Sequence, residues 1–282
     1  MKKWKRSARL VDMTRRLLRD PHRLIPLTHF ADRYQAAKSS ISEDLGIIQE
    51  VFHSGGSGEL ETVSGAAGGV RFLPRVDRPA AEELVDTLCR QLSDPGRILP
   101  GGYLYLSDLL GNTAMVREIG RVFASVFCDS RAEVVVTVET KGIPLAYATA
   151  DHLGLPVAIV RRDSRITEGS VVTINTVSGS SKRLGSLSLS RRSLNEGVRV
   201  LIIDDFMKAG GTVRGMIDLM NEFHAQVSGV GVMTDTLLEE RLVENYVSLT
   251  TVAEVDVKKR EIQVVPGNLL HQGGWIHGQS TD

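Results

Sequence analysis

The chain has 282 residues, of which 42% are hydrophobic and 24% are charged, and its formal net charge is zero. This composition is typical of globular domains and excludes a mainly disordered, collagen-like or coiled-coil protein. The net charge of zero hides an asymmetry between two parts of the chain. Residues 1–78 carry 14 Lys and Arg against 9 Asp and Glu, whereas residues 79–282 carry 20 Lys and Arg against 25 Asp and Glu. The charge pattern therefore predicts a basic front joined to an acidic body.

Cysteine usage and hydropathy indicate the compartment. Cys89 and Cys128 are too few for a disulfide scaffold, and no Cys or His spacing typical of a metal site accompanies them. The basic start is not followed by the apolar run of a signal peptide, and no stretch approaches the ~20 apolar residues of a membrane span. We therefore expect a cytoplasmic protein with no membrane partner and no metal site of its own.

The basic front has the pattern of three short helices followed by a hairpin. The predicted helices cover 6–19, 27–34 and a segment from Ser39 or Ser40 onward, and the predicted strands cover 60–63 and 70–73. Ser39 or Ser40 would provide the N-cap of the third helix. This order is the layout of a winged helix, so we expect a DNA-binding domain over residues 1–74.

Contacts to DNA are expected from the start of the third helix, the first helix and the wing. Serine and lysine at a recognition helix can contact phosphates or base edges, while other basic residues neutralise phosphates without reading sequence. The residues predicted to contact DNA are Lys3, Lys5, Arg6, Arg9, Lys38, Ser39, Ser40, Ser42 and Arg71. A generic basic amphipathic helix that binds protein or lipid is the alternative.

From residue 80 onward, helices alternate with continuously apolar strands. The predicted helices cover 81–92, part of 109–127, 143–153 and 212–223, and the predicted strands cover 133–138, 157–160, 200–203 and 227–233. Such alternation indicates an α/β domain whose parallel sheet is covered on both faces. We assign this domain to residues 75–270 and predict no function for the tail at 271–282.

A segment rich in Ser and Thr at residues 164–190 breaks the alternation. A solvated linker is one interpretation, but partial strand alternation on both sides of residues 178–181 favours a protruding β-hairpin arm. The basic residues in and beside this arm include Arg161, Arg162, Lys182, Arg183, Arg191 and Arg192. Their charge suits a phosphate-rich ligand or nucleic acid, although ordinary solvation accounts for any single one of them.

The strongest site pattern is the run VLIIDDFMKAGGT at residues 200–212. An apolar strand places Asp204 and Asp205 at its carboxyl end, and a short loop ending in Gly-Gly-Thr opens a helix. Carboxylates accept hydrogen bonds from vicinal ribose hydroxyls, while glycine amides, the Thr212 hydroxyl and a helix N-terminus hold a phosphate. The run therefore predicts a ribose-phosphate site, whereas an acidic pair alone would indicate only a solvated turn.

A second anion-binding loop is predicted at residues 139–142, between a buried strand and a helix. Its amides and the Lys141 ammonium could hold another phosphate group, or the loop could be an exposed turn with a solvated lysine. Tyr103 and Phe206 are candidates for stacking on a purine or a ribose. None of the seven histidines forms a recognisable catalytic triad.

Residues 200–212 resemble the phosphoribosyl pyrophosphate (PRPP) motif of type I phosphoribosyltransferases, with Ala209 where those enzymes usually carry Ser or Thr. From its basic front to about residue 270, the chain resembles the purine operon repressors of Gram-positive bacteria. That resemblance includes residues 100–106, 141–146 and 177–181. In the resembled fold, residues 139–142 form the pyrophosphate loop and the arm at 164–190 occupies the place of the loop that closes over the active site.

The resemblance implies a winged helix followed by a type I phosphoribosyltransferase fold with a mostly parallel sheet. It implies a homodimer that binds palindromic operator DNA, with PRPP as inducer and guanosine tetra- and pentaphosphate as ligands of the same pocket. No cofactor is required, and Mg²⁺ would accompany PRPP. The predicted effector-binding residues are Tyr103, Thr140, Lys141, Gly142, Asp204, Asp205, Phe206, Lys208, Ala209, Gly210, Gly211 and Thr212.

No enzymatic activity is expected, because holding a ribose phosphate does not by itself position a nucleobase at the sugar C1. Two alternatives stay open at this point. One is a working purine phosphoribosyltransferase with an accessory nucleic-acid-binding domain. The other is an RNA-binding attenuation regulator.

Overall fold

The computed structural model describes residues 4–65, 68–163, 169–177, 184–238 and 240–271. Its front domain consists of α1 (Arg6–Arg19), α2 (Leu27–Tyr34), α3 (Lys38–Ser54), β1 (Glu59–Val63) and β2 (Gly69–Leu73). The two strands pair antiparallel, from Glu59 opposite Leu73 to Val63 opposite Gly69. The predicted order of three helices and a hairpin, and with it the winged-helix layout, is confirmed.

An apolar core joins the three front helices to the wing. Met13, Phe30 and Ile41, one from each helix, are fully buried. Phe52 of α3 packs against Phe72 of β2 with ring centroids 4.9 Å apart. Because the core fixes α3 relative to the wing, the two elements that would meet DNA are held as one unit.

Asp12 of α1 ties the first two helices together. Its carboxylate accepts hydrogen bonds from Arg15 and Arg16 at 3.0 Å and from Arg33 and the Tyr34 hydroxyl at 2.9 Å. Burial alone would raise the pKa of Asp12, but these four donors hold it far below its ordinary value. The carboxylate is therefore ionised over the physiological range and serves as a structural anchor.

The predicted cap of α3 is wrong. The helix begins at Lys38, after Ala37, and no side chain caps it. Ser39 and Ser40 therefore lie inside the first turn, whereas a capping serine has to precede the helix.

The body contains five further helices and ten further strands among the described residues. In chain order they are α4 (Arg78–Leu92), β3 (Ile98–Leu99), β4 (Tyr103–Leu104), α5 (Ser107–Gly111), α6 (Thr113–Val126), β5 (Val134–Val138), α7 (Gly142–Leu153), β6 (Val157–Val160), β7 (Val171–Val177), β8 (Leu184–Ser190), β9 (Arg199–Met207), α8 (Gly211–Glu222), β10 (Gln226–Thr236), β11 (Val247–Asp256) and β12 (Glu261–Pro266). No helix in the described ranges is long and apolar enough to cross a membrane.

The central sheet has six strands in the order β12-β11-β10-β9-β5-β6. Every pairing in it is parallel except that of the edge strand β12 with β11. Alternate residues of β9 enter different cores, with Leu201 in one that includes Leu145 of α7 and Ile202 in another that includes Met216 of α8. The predicted parallel sheet covered on both faces is confirmed, and double burial explains the continuous apolar runs.

Two parts of the sheet differ from the prediction. Strand β9 does not end at Ile203 but continues through Met207, so that Asp204 and Phe206 pair with Val232 and Thr234 of β10. Strands β11 and β12 were not predicted, because their mixed polar and apolar sequences lack the continuous apolar pattern of the inner strands.

The arm at 164–190 is a β-hairpin in its described part, as predicted, but it does not protrude there, because Leu187 and Leu189 are buried in the core. Strands β7 and β8 pair antiparallel, from Val171 opposite Ser190 to Val177 opposite Leu184. The hairpin packs closely on α8, because a Cβ on Gly215 would lie 2.6 Å from Thr176 and 2.9 Å from Leu187. Residues 164–168 and 178–183, with Lys182 and Arg183, lie outside the described residues.

Candidate functional site

The loop from β9 to α8 carries the glycines of the predicted phosphate site. Gly210 has φ +85°, in the left-handed region that favours glycine, and this turn leads the chain into α8. The Leu242 amide donates to the Ala209 carbonyl at 3.0 Å, and the Thr236 hydroxyl donates to the Lys208 carbonyl at 3.1 Å. The neighbouring segment thereby fixes the loop, and the free amides of the first turn of α8 are available to an anion.

The loop from β5 to α7 is the second predicted anion group. Its Glu139–Thr140 peptide bond is cis. Glu139 accepts hydrogen bonds from the Arg162 amide at 2.9 Å and the Arg161 guanidinium at 3.1 Å. These contacts join the loop to the end of β6, and the exposed Lys141 directly precedes the first turn of α7.

Two adjoining cavities lie beyond the carboxyl ends of β9 and β10, and both are lined by Tyr103, Phe206 and Lys208. The first, of about 330 Å³, is also lined by Gly101, Gly102, Leu104, Leu106, Lys141, Asp205, Thr236, Val252 and Val255. The second, of about 300 Å³, is also lined by Arg162, Met207, Ala209, Gly210, Gly211, Thr212 and Val213. The carboxyl edge of a parallel sheet is where ligands bind in open α/β folds.

The two carboxylates of the acidic pair have different surroundings. Asp205 lines the first cavity together with Lys141. Asp204 is only 3% exposed, and one of its oxygens accepts the Asp205 amide at 2.9 Å. Burial, followed by the charge of Asp205, raises the pKa of Asp204 well above its ordinary value, and burial also raises that of Asp205. The pair therefore holds protons more tightly than isolated aspartates do, and Asp205 is the member that a ligand would meet.

Tyr103 lies on the β3–β4 hairpin at the mouth of both cavities. Gly101 and Gly102 make its turn with φ +83° and +74°. Arg97 fastens the hairpin by donating to both carboxylate oxygens of Asp108 at 2.7 Å. The Tyr103 side chain is 71% exposed, which leaves its ring face available for stacking.

Part of the wall of the first cavity is apolar and consists of Leu104, Leu106, Val252 and Val255. The sequence prediction missed the two valines because it did not contain strand β11, although the β-branched residues at 247–252 favour a strand. Tyr246, which directly precedes β11, is buried and donates to Asp235 at 2.6 Å. It does not line either cavity.

The structure brings most of the predicted effector residues together. Those that line the cavities are Tyr103, Lys141, Asp205, Phe206, Lys208, Ala209, Gly210, Gly211 and Thr212. Thr140, Gly142 and Asp204 do not line them: Thr140 is exposed, and the other two are buried. Ligand binding by all of these residues stays a prediction.

At the basic front, the predicted DNA-contacting residues of α1 have different surroundings. Arg6 and Arg9 donate to the fully buried carboxylate of Asp44 in α3 at 3.0 and 2.8 Å. The Arg9 side chain is only 10% exposed, whereas that of Arg6 is 52% exposed. Arg9 therefore serves the packing of α1 on α3, and its predicted phosphate contact stays untested. Lys5 is exposed, and Lys3 lies outside the described residues.

The exposed residues of α3 fit a role in contacting the DNA groove better than Arg9 of α1 does. Lys38, Ser39 and Ser42 are exposed and Ser40 is half-buried. In the wing, Arg71 pairs with Glu61 on the neighbouring strand and keeps a side-chain exposure of 37%. The first turn of α3 thus presents a cation and two hydroxyls to solvent, as contact with DNA would require.

Two family models match the chain. Residues 5–74 match the N-terminal domain of the bacterial purine repressor, and residues 106–264 match the phosphoribosyl transferase domain. The chain is similar in fold to the adenine phosphoribosyltransferase of Thermoanaerobacter pseudethanolicus, with a TM-score of 0.51 and 16% identity over 58% of this chain and 97% of that one.

Two relatives match nearly the whole chain. The chain is 54% identical to the purine biosynthesis transcriptional repressor PurR of Bacillus subtilis, over 95% of this chain and 94% of that protein. It is 43% identical to the purine biosynthesis transcriptional activator PurR of Lactococcus lactis subsp. lactis, over 95% and 99%. Because both domains match together and in order, the chain belongs to the family of bacterial purine biosynthesis transcriptional repressors.

Proposed function

We propose that this protein represses purine biosynthesis genes by binding their operators, and that a phosphorylated ribose ligand in the two cavities controls this binding. The observation that carries the proposal is the presence, in one chain, of a winged helix and a cavity with the groups that a ribose phosphate needs. Repression is favoured over activation because the relative of higher identity is named a repressor.

PRPP fits the chemistry of the cavities. Its 5-phosphate would occupy the second cavity, where the N-terminus of α8 and the Gly210–Gly211 amides provide donors. Its ribose hydroxyls would meet Asp205, and its pyrophosphate, with Mg²⁺ as companion ion, would lie near Lys141 and Lys208. Guanosine tetra- and pentaphosphate would compete for the same groups, with Tyr103 and Phe206 available to stack on the base.

The apolar part of the wall of the first cavity supports regulation over catalysis. Transfer of the ribose needs a nucleobase held with its nitrogen at the sugar C1. Here the cavity wall includes Leu104, Val252 and Val255, which offer a base no hydrogen bonds from their side chains. The alternative is an active purine phosphoribosyltransferase with an accessory DNA-binding domain, and it is favoured by the family-model match over residues 106–264.

A homodimer is part of the proposal, because a winged helix that reads a palindrome binds as two copies on two half-sites. The proposed DNA-contacting surface includes Lys38, Ser39 and Ser42, which are exposed on α3. The mass of the free protein and of its operator complex would test this part directly.

The decisive experiment measures operator binding and transferase activity on one preparation. Operator affinity is measured with and without saturating PRPP and Mg²⁺, and pyrophosphate release is followed with adenine, guanine, hypoxanthine and xanthine. We expect specific operator binding, loss of that binding with PRPP, and no steady pyrophosphate release with any base. Steady release with one base would favour the enzyme, and unchanged operator affinity with PRPP would refute effector control.

A further inference from the structure

Helix α7 extends from the cavities to the winged-helix domain. It begins directly after Lys141, which lines the first cavity. Its C-cap residue Gly154 lies against Pro21, in the connection between α1 and α2, where a Cβ on Gly154 would be 3.1 Å from the Pro21 carbonyl oxygen. A helix of 12 residues, at about 1.5 Å per residue, forms a rod about 18 Å long. One rigid element therefore contacts both functional parts of the molecule.

The Pro21 connection is fastened to the wing. The amide of His22 donates to the Phe72 carbonyl at 2.9 Å, and Ile25 and Val70 exchange two backbone hydrogen bonds of 2.9 Å each. Phe72 and Val70 belong to β2. A displacement of Pro21 would therefore move the wing and not only the turn that contains Pro21.

Helix α6 packs along α7 and makes its own contacts with the front domain. A Cβ on Gly120 of α6 would lie 2.6 Å from Ala148 of α7, so the two helix backbones approach closely. The Arg121 guanidinium of α6 donates to the Gly56 carbonyl at 2.8 Å, just before β1. The two helices are therefore packed as a pair, and each reaches the winged helix at a separate point.

A cavity of about 390 Å³ lies between the two domains beside these contacts. Its wall includes His22, Arg71 and Leu73 from the front domain, and Cys128, Asp129 and Leu153 from the body. Because the junction is not densely packed at this point, the front domain has room to change its position around the α7 contact.

We propose that α7 transmits the state of the effector cavity to the winged helix through the contact between Gly154 and Pro21. This inference rests on the proposed function and names the regulation of the same site. A ligand changes DNA affinity only if it binds two arrangements of the protein differently. A ligand anion on the Lys141 loop would shift α7, and the Gly154 end would carry that shift to Pro21.

The experiment measures a coupling factor, defined as the ratio of operator Kd with saturating PRPP and Mg²⁺ to operator Kd without them. Gly154→Ala adds a methyl against Pro21, and we expect it to change the coupling factor at least fivefold while the Kd for PRPP changes less than threefold. Gly197→Ala is the matched control, since Gly197 also has a positive φ, +75°, but a Cβ there meets nothing within 4 Å. We expect this control to stay within twofold of wild type.

A double-mutant cycle with Pro21→Gly tests whether the effect passes through this contact. Pro21→Gly removes the ring atoms that lie 3.6 and 3.9 Å from the Cβ position of Gly154 and loosens the turn. Because the contact is then already weakened, the double variant should have the coupling factor of Pro21→Gly alone to within twofold, a non-additive result. If Gly154→Ala does not fold, Pro21→Gly alone should still lower the coupling factor at least fivefold. Additive effects, or coupling factors within twofold of wild type in both variants, would overturn the α7 proposal.

Measurements on the wild-type protein distinguish a failure of the proposed function from a failure of the α7 proposal. If wild type neither binds PRPP in calorimetry nor loses operator affinity with it, the proposed function fails before α7 is in question. If wild type responds and the Gly154 and Pro21 variants respond equally, the effector control stands and the relay through α7 does not.

Discussion

Gly142 and Asp204 approach so closely that no larger residue than glycine fits between α7 and β9. A Cβ on Gly142 would lie 2.7 Å from Oδ1 of Asp204 and 2.4 Å from Oγ1 of Thr137. Thr137 is fully buried, and its hydroxyl has no hydrogen-bond partner among the described residues. The start of α7 therefore packs directly against the buried carboxyl group of Asp204. This contact connects the loop before α7 with strand β9, which leads into the other anion loop.

Replacing Gly142 should disturb this packing contact. Gly142→Ala would push the start of α7 away from Asp204 and displace Lys141, because the atoms it meets are buried and have little room to move. We expect PRPP binding to weaken at least tenfold and the free energy of unfolding to fall by about 1–3 kcal/mol. Calorimetry and urea unfolding would measure the two effects. Gly111→Ala is the control, since a Cβ there meets nothing within 4 Å.

Asp204 should make the stability of the body depend on pH in a direction opposite to that of most carboxylates. Its pKa is raised in the folded protein, so the folded state binds the proton more tightly than the unfolded chain does. Stability is therefore lost as pH rises from the ordinary Asp pKa of about 4 through the raised value. Asp204→Asn removes the charge and keeps an acceptor for the Asp205 amide, so it should be more stable than wild type at pH 8.

Urea unfolding at pH 5 and pH 8 tests this expectation. The free energy of unfolding should fall less between the two pH values in Asp204→Asn than in wild type. Asp218→Asn is the control, because Asp218 pairs with Arg214 on α8 and its side chain is 44% exposed. An equal pH dependence in Asp204→Asn and wild type would contradict a proton held at Asp204.

The fold could be predicted from local patterns where one physical signal dominated. Helical spacing of apolar residues predicted α1 with its observed bounds, Arg6–Arg19. Continuous apolar runs predicted the strands that are buried on both faces of the sheet. The edge strand β12 and its neighbour β11 were missed because polar and apolar residues mix there, and in β11 the buried Ser248 and Thr250 interrupt the apolar run. The cap of α3 was misplaced because a serine within the first turn and a serine before it look alike in sequence.

The sequence predicted which residues lie near the site but not which of them a ligand can reach. The run at 200–212 indicated a ribose-phosphate site, yet it could not show that Asp204 is buried while Asp205 lines the cavity. That difference follows from strand alternation in β9, which continues past its predicted end. Arg9 shows the same limit, because the buried Asp44 that pairs with it lies in another helix.

Asp205 should be required for the response to PRPP and not for DNA binding. It lines the first cavity with Lys141, far along the chain from the winged helix. We expect Asp205→Asn to bind operator within about threefold of wild type but to need at least tenfold more PRPP for release. The double variant Asp204→Ala, Asp205→Ala should not release at all and would behave as a super-repressor. Asp86→Asn, at an exposed position of α4, is the control.

Titration of operator complexes with PRPP measures this difference. Release of the double variant at the wild-type PRPP concentration would show that the acidic pair is not the sensor. If the variants do not bind operator even without PRPP, the substitutions disturb the fold. Thermal unfolding of the same preparations would detect such a disturbance.

Lys38 should contribute to DNA affinity through charge and not through sequence reading. It is exposed at the first position of α3, beside the exposed hydroxyls of Ser39 and Ser42. A lysine that neutralises one phosphate releases one counterion, so Lys38→Ala should weaken operator and unrelated DNA by similar factors. The slope of log K against log salt concentration should become shallower by about one unit. Lys259→Ala, on the exposed turn between β11 and β12, is the control and should change neither quantity. A loss confined to the operator would identify Lys38 as a base reader, and an unchanged slope with unchanged affinity would remove it from the DNA interface.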